Sequence, residues 1–127
     1  SGGELSRFTL AMKVCLSQKN VKPILIFDEI DNGVGGKTAN AIGRRLLEIS
    51  KNEQIFAITH SPQVAAFSDN HIKVEKFTDG DNTYTKVKAL EKEEVIEEVA
   101  RMLSGDLVSN EAEAAARSLI SASIEVS

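Results

Sequence analysis

Two unbroken apolar runs, Pro23-Ile24-Leu25-Ile26-Phe27 and Ile55-Phe56-Ala57-Ile58, constrain the fold more than any other feature of this chain. A strand with one wet face alternates apolar and polar residues, so four apolar residues in succession predict a strand buried on both faces, as in a parallel sheet. The first run ends in Asp28-Glu29. The second, counted from Gln54 to Thr59, ends at His60. Between them, Lys37 to Ser50 carries Ala39, Ile42, Leu46 and Ile49 at helical spacing. Strand, helix and strand of this size make a βαβ unit. In open parallel sheets ligands collect outside the C-terminal strand ends, so Asp28, Glu29 and His60 are expected on one rim.

The flanking segments have other patterns. Ser1-Gly2-Gly3-Glu4 followed by Leu5, Phe8, Met12, Cys15 and Leu16 reads as an amphipathic helix with a capping box at its start. Ser61-Pro62 opens a short helix through Phe67, with Pro62 in the first turn. Ile72 to Thr78 and Thr83 to Leu90 flank Asp79-Gly80-Asp81-Asn82, the signature of an antiparallel hairpin. Helices are expected from Glu91 to Ser104, with Val95, Ile96, Val99, Met102 and Leu103 on one face, and from Asn110 to Ile124, with Ala112, Ala116, Leu119 and Ile120. The predicted class is α/β, with a mostly parallel core and an α-rich tail. At 127 residues, 42% hydrophobic and 27% charged, this is one domain or one lobe of a larger one.

Composition removes several functions. A net charge of −4 leaves no whole-domain basic footprint for nucleic acid. Aromatics at 5%, without tryptophan, give no platform for stacking single strands. A single cysteine, Cys15, forms no internal disulfide framework, fits a reducing compartment and reads as core. Zinc is excluded by ligand count, a nucleophilic serine by the lack of a strand-turn-helix serine, and a membrane span by the lack of an apolar run of ~20 residues.

Positive signals remain. Two adjacent carboxylates at a strand end suit a magnesium ion and a water, the ion taking one carboxylate and the other orienting or deprotonating the water. The plainer alternative is a solvated pair opening a loop. An imidazole at His60 suits a phosphate oxygen or that water; its alternative is a loop histidine with a local backbone partner. Ser1-Gly2-Gly3 before a helix makes an anion site, or an ordinary cap. Gly36-Lys37-Thr38 imitates the end of a P-loop, but Asp31 stands where the first glycine belongs, and the segment starts the crossover helix instead. His71 is read as structural. Glu91, Glu93, Glu94, Glu97 and Glu98 are read as a solvated helix face.

Taken in order, SGGELSR, PILIFDEIDNGVGG and ITHSPQVAAFSDNH resemble the C-terminal lobe of an ABC-type ATPase head over residues 1–60. SGGE is similar to the signature motif, ILIFDE to Walker B with its glutamate, Ile30-Asp31-Asn32 to the D-loop, and His60 to the switch histidine. The further segments THSPQVAAFSDNH and EEVARMLSGD extend the resemblance over almost the whole chain to the RecN family of SMC-like bacterial DNA repair ATPases. Two departures are Ser61 in place of an apolar residue and Glu93-Glu94-Val95 in place of a more basic stretch, and neither is expected to touch the nucleotide site.

The resemblance implies a head that binds ATP between two copies. Asp28 would hold Mg²⁺ through water, Glu29 would activate the hydrolytic water, and His60 would contact the γ-phosphate side. Ser1, Gly2 and Gly3 would reach the γ-phosphate held by the other copy, and Asp31 would sit at the dimer seam. The expected partners are a second head in a homodimer, DNA through the full-length protein, and the N-terminal head lobe of the same parent; no membrane partner is expected, and the expected place is the cytoplasm, at the nucleoid. Residues 1–127 would be the C-terminal part of the head, with the P-loop and a coiled coil preceding residue 1, and the chain alone would be inactive. The competing readings are a transporter-type nucleotide-binding domain, another SMC- or RecF-like ATPase, and a dimerisation module without chemistry.

Overall fold

The computed structural model describes Gly3, residues 7–10 and residues 23–126. Gly3 and residues 7–10 are helical; the other residues of the expected N-terminal helix, Cys15 among them, lie outside the described residues. The first run forms β1 (Ile24–Asp28) and the second forms β2 (Gln54–Ile58), joined by helix α1 (Gly36–Ser50). The strands are parallel, in a register that runs from Ile24 opposite Gln54 to Asp28 opposite Ile58. A parallel pair cannot be closed by a tight turn and needs a crossover of this kind.

Strand alternation sorts the side chains. Phe27 and Ile55 pack with Ile42 against the buried Ala39, Leu46 and Val64. On the other face Phe56 and Ile58 are exposed, so the expectation of burial on both faces is met on one only. The physical reason is that α1 covers a single face of this two-stranded sheet.

After β2 comes a four-residue helix, α2 (Pro62–Ala65), shorter than the expected span to Phe67, which lies in the turn that follows. Hairpin strands β3 (Ile72–Asp79) and β4 (Asn82–Ala89) pair antiparallel around Gly80-Asp81. Gly80 has φ +60°, the sign that a two-residue hairpin turn with glycine in first place needs. Helices α3 (Lys92–Ser104) and α4 (Asn110–Glu125) end the fold. Glu91 and Glu94 form a capping box on α3, and the Ser109 hydroxyl accepts the Ala112 N–H at 3.1 Å to cap α4.

Short as it is, α2 joins two cores. Val64 belongs to the sheet–α1 cluster, while the adjacent Ala65 belongs to a second cluster with Ile96, Val99, Ala100, Ala112 and Ala116. The Ser123 hydroxyl on α4 adds a buried hydrogen bond to the Ala66 carbonyl at 2.7 Å. The hairpin is tied to α3 by ion pairs from Lys73 to Glu98 at 2.8 Å and from Lys88 to Glu94. This corrects the reading of the α3 acids as one solvated face. Glu98 is 7% exposed and is also gripped by Arg101 Nε at 3.0 Å. His71, just before β3, is half-buried, and burial lowers its imidazole pKa below the ordinary value.

Candidate functional site

Where β1 ends, the ladder runs one residue further: the Glu29 N–H donates to the Ile58 carbonyl at 2.9 Å. There the chain turns sharply. Glu29 has φ +52°, which among the described residues is the one positive value outside glycine. A non-glycine residue held there costs about 1–3 kcal/mol. The following loop closes through Asn32 N–H to the Glu29 carbonyl at 3.0 Å and Val34 N–H to the Asp31 carbonyl at 3.3 Å. Gly33, at φ +76°, supplies the left-handed conformation that a side chain would resist.

The turn brings the Glu29 carboxylate to the end of β2. Its Oε1 lies 2.8 Å from Nε2 of His60, a distance at which an imidazole N–H donates to a carboxylate. Both side chains face solvent, His60 at 89% exposure and Glu29 at 44%. Asp31 is the opposite case. Only 8% exposed, it accepts a hydrogen bond from the Thr59 hydroxyl through Oδ2. Thr59 Oγ1 in turn accepts the Ser61 N–H at 2.9 Å, and the Ser61 hydroxyl donates to Gln63 Oε1 at 2.9 Å. Glu29, Asp31, Asn32, Gly33, His60 and Ser61 line an open cleft of about 190 Å³.

Of the three side chains expected on one rim, Glu29 and His60 meet, and Asp31, expected at a dimer seam, lines the same cleft. Asp28 stands at the same strand end but does not line the cleft. As the partner of Ile58 in the ladder, it falls by alternation on the sheet face opposite Phe27, and it is exposed. Among the described residues no group of three or more His, Cys, Asp and Glu could hold a metal by itself. Ser1 and Gly2 lie outside the described residues; Gly3 is an exposed helical residue. Lys37 and Thr38 lie in the first turn of α1, as expected of a crossover helix. Sequence reading assigned Thr59 no role and set Ser61 apart from the site, whereas Ser61 lines the cleft. The available signal was a threonine directly before the histidine, whose hydroxyl can bridge two neighbours.

No family model matches the chain. Curated relatives do. The chain is 50% identical over 120 residues to the DNA repair protein RecN of Rickettsia felis, 48% to that of Streptomyces coelicolor and 42% to that of Haemophilus influenzae. Each match covers 94% of this chain but only 21–22% of the relative, so the chain spans about a fifth of the length of these proteins. Among solved structures it is similar, with a TM-score of 0.56 and 25% identity, to a chain from work on the structural biochemistry of ATP-driven dimerization and DNA stimulated activation of SMC ATPases. That likeness covers 84% of this chain and 64% of the other. The transporter reading is not favoured by these relatives. Sequence and fold agree along nearly the whole chain, which matches RecN proteins as a C-terminal lobe with the fold of an SMC-type head.

Proposed function

We propose that this lobe carries the water-activating carboxylate of a DNA-repair ATPase head, with ATP held between two heads. The observation that carries the reading is the Glu29–His60 pair at 2.8 Å, standing at the ends of adjacent parallel strands and opening on a cleft. A contact this exposed adds little to stability, whereas a carboxylate oriented by an imidazole is suited to taking a proton from water. In this reading Glu29 accepts that proton, and His60 orients Glu29 through Nε2 and stands beside the γ-phosphate. Asp28 offers one exposed carboxylate at the same edge, which fits Mg²⁺, an ion that takes one or two carboxylates and completes its shell with phosphate and water. When bound, Mg²⁺ neutralises charge developing on the phosphates.

Ser1, Gly2 and Gly3 of one head reach the γ-phosphate held by the other. The loop of Asp31 forms part of the seam, where the exposed Ile30 and Val34 supply apolar contact. The P-loop comes from the N-terminal lobe of the same parent, and DNA is a partner of the full-length protein; the names of the RecN relatives and of the SMC neighbour support the second point. The homodimeric protein acts in the cytoplasm, at the nucleoid, in repair and recombination. No helix among the described residues is long and apolar enough to cross a membrane. Without the P-loop lysine and its amide cradle, most phosphate binding energy is missing, so the 127-residue chain alone neither binds ATP tightly nor hydrolyses it.

The test is Glu29→Gln in the full-length parent. The variant is expected to bind ATP and keep its heads paired while turnover falls at least ~100-fold. Unchanged turnover removes Glu29 from the mechanism and the proposal with it.

A further inference from the structure

One side chain to which none of the recognised motifs gives a role joins the two loops of the cleft. Thr59 stands between the last residue of β2 and His60. Its hydroxyl donates to Asp31 Oδ2, 28 positions upstream, and accepts the Ser61 N–H at 2.9 Å. His60 is thus bracketed. The residue before it is fixed to Asp31, and the residue after it is fixed back onto Thr59. Asp31 is buried, so its carboxylate has little access to water as a substitute donor. His60 and Glu29, by contrast, are exposed and hold each other by a single contact. A β-branched threonine has few χ1 options. Movement of the Asp31 loop is therefore transmitted to the 59–61 turn, and from there to the imidazole.

We infer that Thr59 is a positioning residue that couples the loop around Asp31 to His60, so that seating of a second head against this loop sets the register of His60 with Glu29. The inference rests on the ATPase reading above and adds to it a regulatory route through this site. Ile30 and Val34, exposed residues of the loop that Asp31 anchors, are the groups on which the second head would press.

The experiment uses the full-length parent with Thr59→Val, which removes the hydroxyl and keeps the shape, and Thr59→Ser, which keeps the hydroxyl. Thr59→Val is expected to lower kcat about 10- to 100-fold, the scale of a small misplacement of reacting groups, with KM for ATP changed less than about 3-fold. Thr59→Ser is expected to restore kcat to within about 3-fold of wild type, which a general loss of packing would not predict. In a cycle with Asp31→Ala, the double variant should be no slower than the slower single one, because both break the same link. Wild-type kcat in Thr59→Val, a deficit that serine fails to restore, or losses that multiply with Asp31→Ala would each overturn the inference. If Thr59→Val does not fold, Thr59→Ala is judged by the same outcomes. Glu29→Gln is run beside them. Full turnover in that variant defeats the ATPase reading and this inference together, whereas loss of turnover there with an indifferent Thr59 defeats the inference alone.

Discussion

Glu98 is buried, yet it holds a charge, and its partners explain how. Burial pushes its carboxyl pKa up, but hydrogen bonds from Arg101 and Lys73 more than offset this, leaving it below the ordinary carboxylate value. A carboxylate with a lowered folded pKa stabilises the fold fully above its unfolded value of about 4.3, and the contribution is lost as pH falls through the folded value. His71 has the same sign. Burial lowers its pKa, with Lys73 adding to the effect and Glu98 opposing it, so its contribution is complete above about pH 6.5 and is lost as pH falls through the lower folded value. Urea midpoints of the chain should therefore decline in two limbs between about pH 7 and pH 3. Glu98→Gln should cost about 1–3 kcal/mol at neutral pH, flatten the lower limb and leave the upper one. A lower limb that survives in Glu98→Gln assigns it to other carboxylates. The sequence could not single out Glu98 from its acidic neighbours. Lys73 lies 25 residues upstream, and only the docking of the hairpin on α3 puts it there.

At the scale of elements, Gly43 decides how α1 meets α2. A glycine inside a helix costs about 1 kcal/mol relative to alanine, so this one needs a packing reason. A Cβ at position 43 would collide with Phe67 Cδ2 and lie 3.2 Å from the Gln63 carbonyl oxygen. Gly43→Ala gains the helix propensity but overpacks this contact, at a cost of about 1–3 kcal/mol, for a net loss of up to about 2 kcal/mol. A lowered urea midpoint checks it; a raised one would mean that Phe67 gives way freely. Gln63 holds the Ser61 hydroxyl, so the same substitution also presses on the turn that carries His60. The regular elements were legible because periodicity and local turn chemistry set them: both apolar runs became strands, Asp79 to Asn82 became the hairpin turn, and the two tail helices begin within a residue of their expected starts. Legible too was the approach of Glu29 to His60, since parallel pairing brings consecutive C-terminal strand ends together. The burial of Asp31 and its bond to Thr59 were not, because they depend on the left-handed turn at Glu29, which no local propensity favours.

For the whole molecule, the exposed face of Phe56 and Ile58 and the division of the cleft are parts of one argument. A two-stranded parallel sheet with an apolar outer face leaves apolar surface and strand edges that other chain segments can cover. On the proposed reading those segments belong to the lobe that also brings the P-loop, and the lobe described here contributes Glu29, His60 and Asp28 to a site whose phosphate-binding half lies elsewhere. A general base is of no use without a bound substrate, since most of the rate gain comes from holding the reacting groups in place. The 127-residue chain should therefore show no Mg²⁺-dependent ATP turnover above background and no tight nucleotide binding, under conditions where the full-length parent turns over. Phosphate release is the measurement, with the Glu29→Gln form of the chain as the control for contaminating enzymes. Turnover by the chain that disappears in the Glu29→Gln form would mean that Glu29 and His60 work without an imported phosphate cradle, and the division of labour between the two lobes would have to be redrawn.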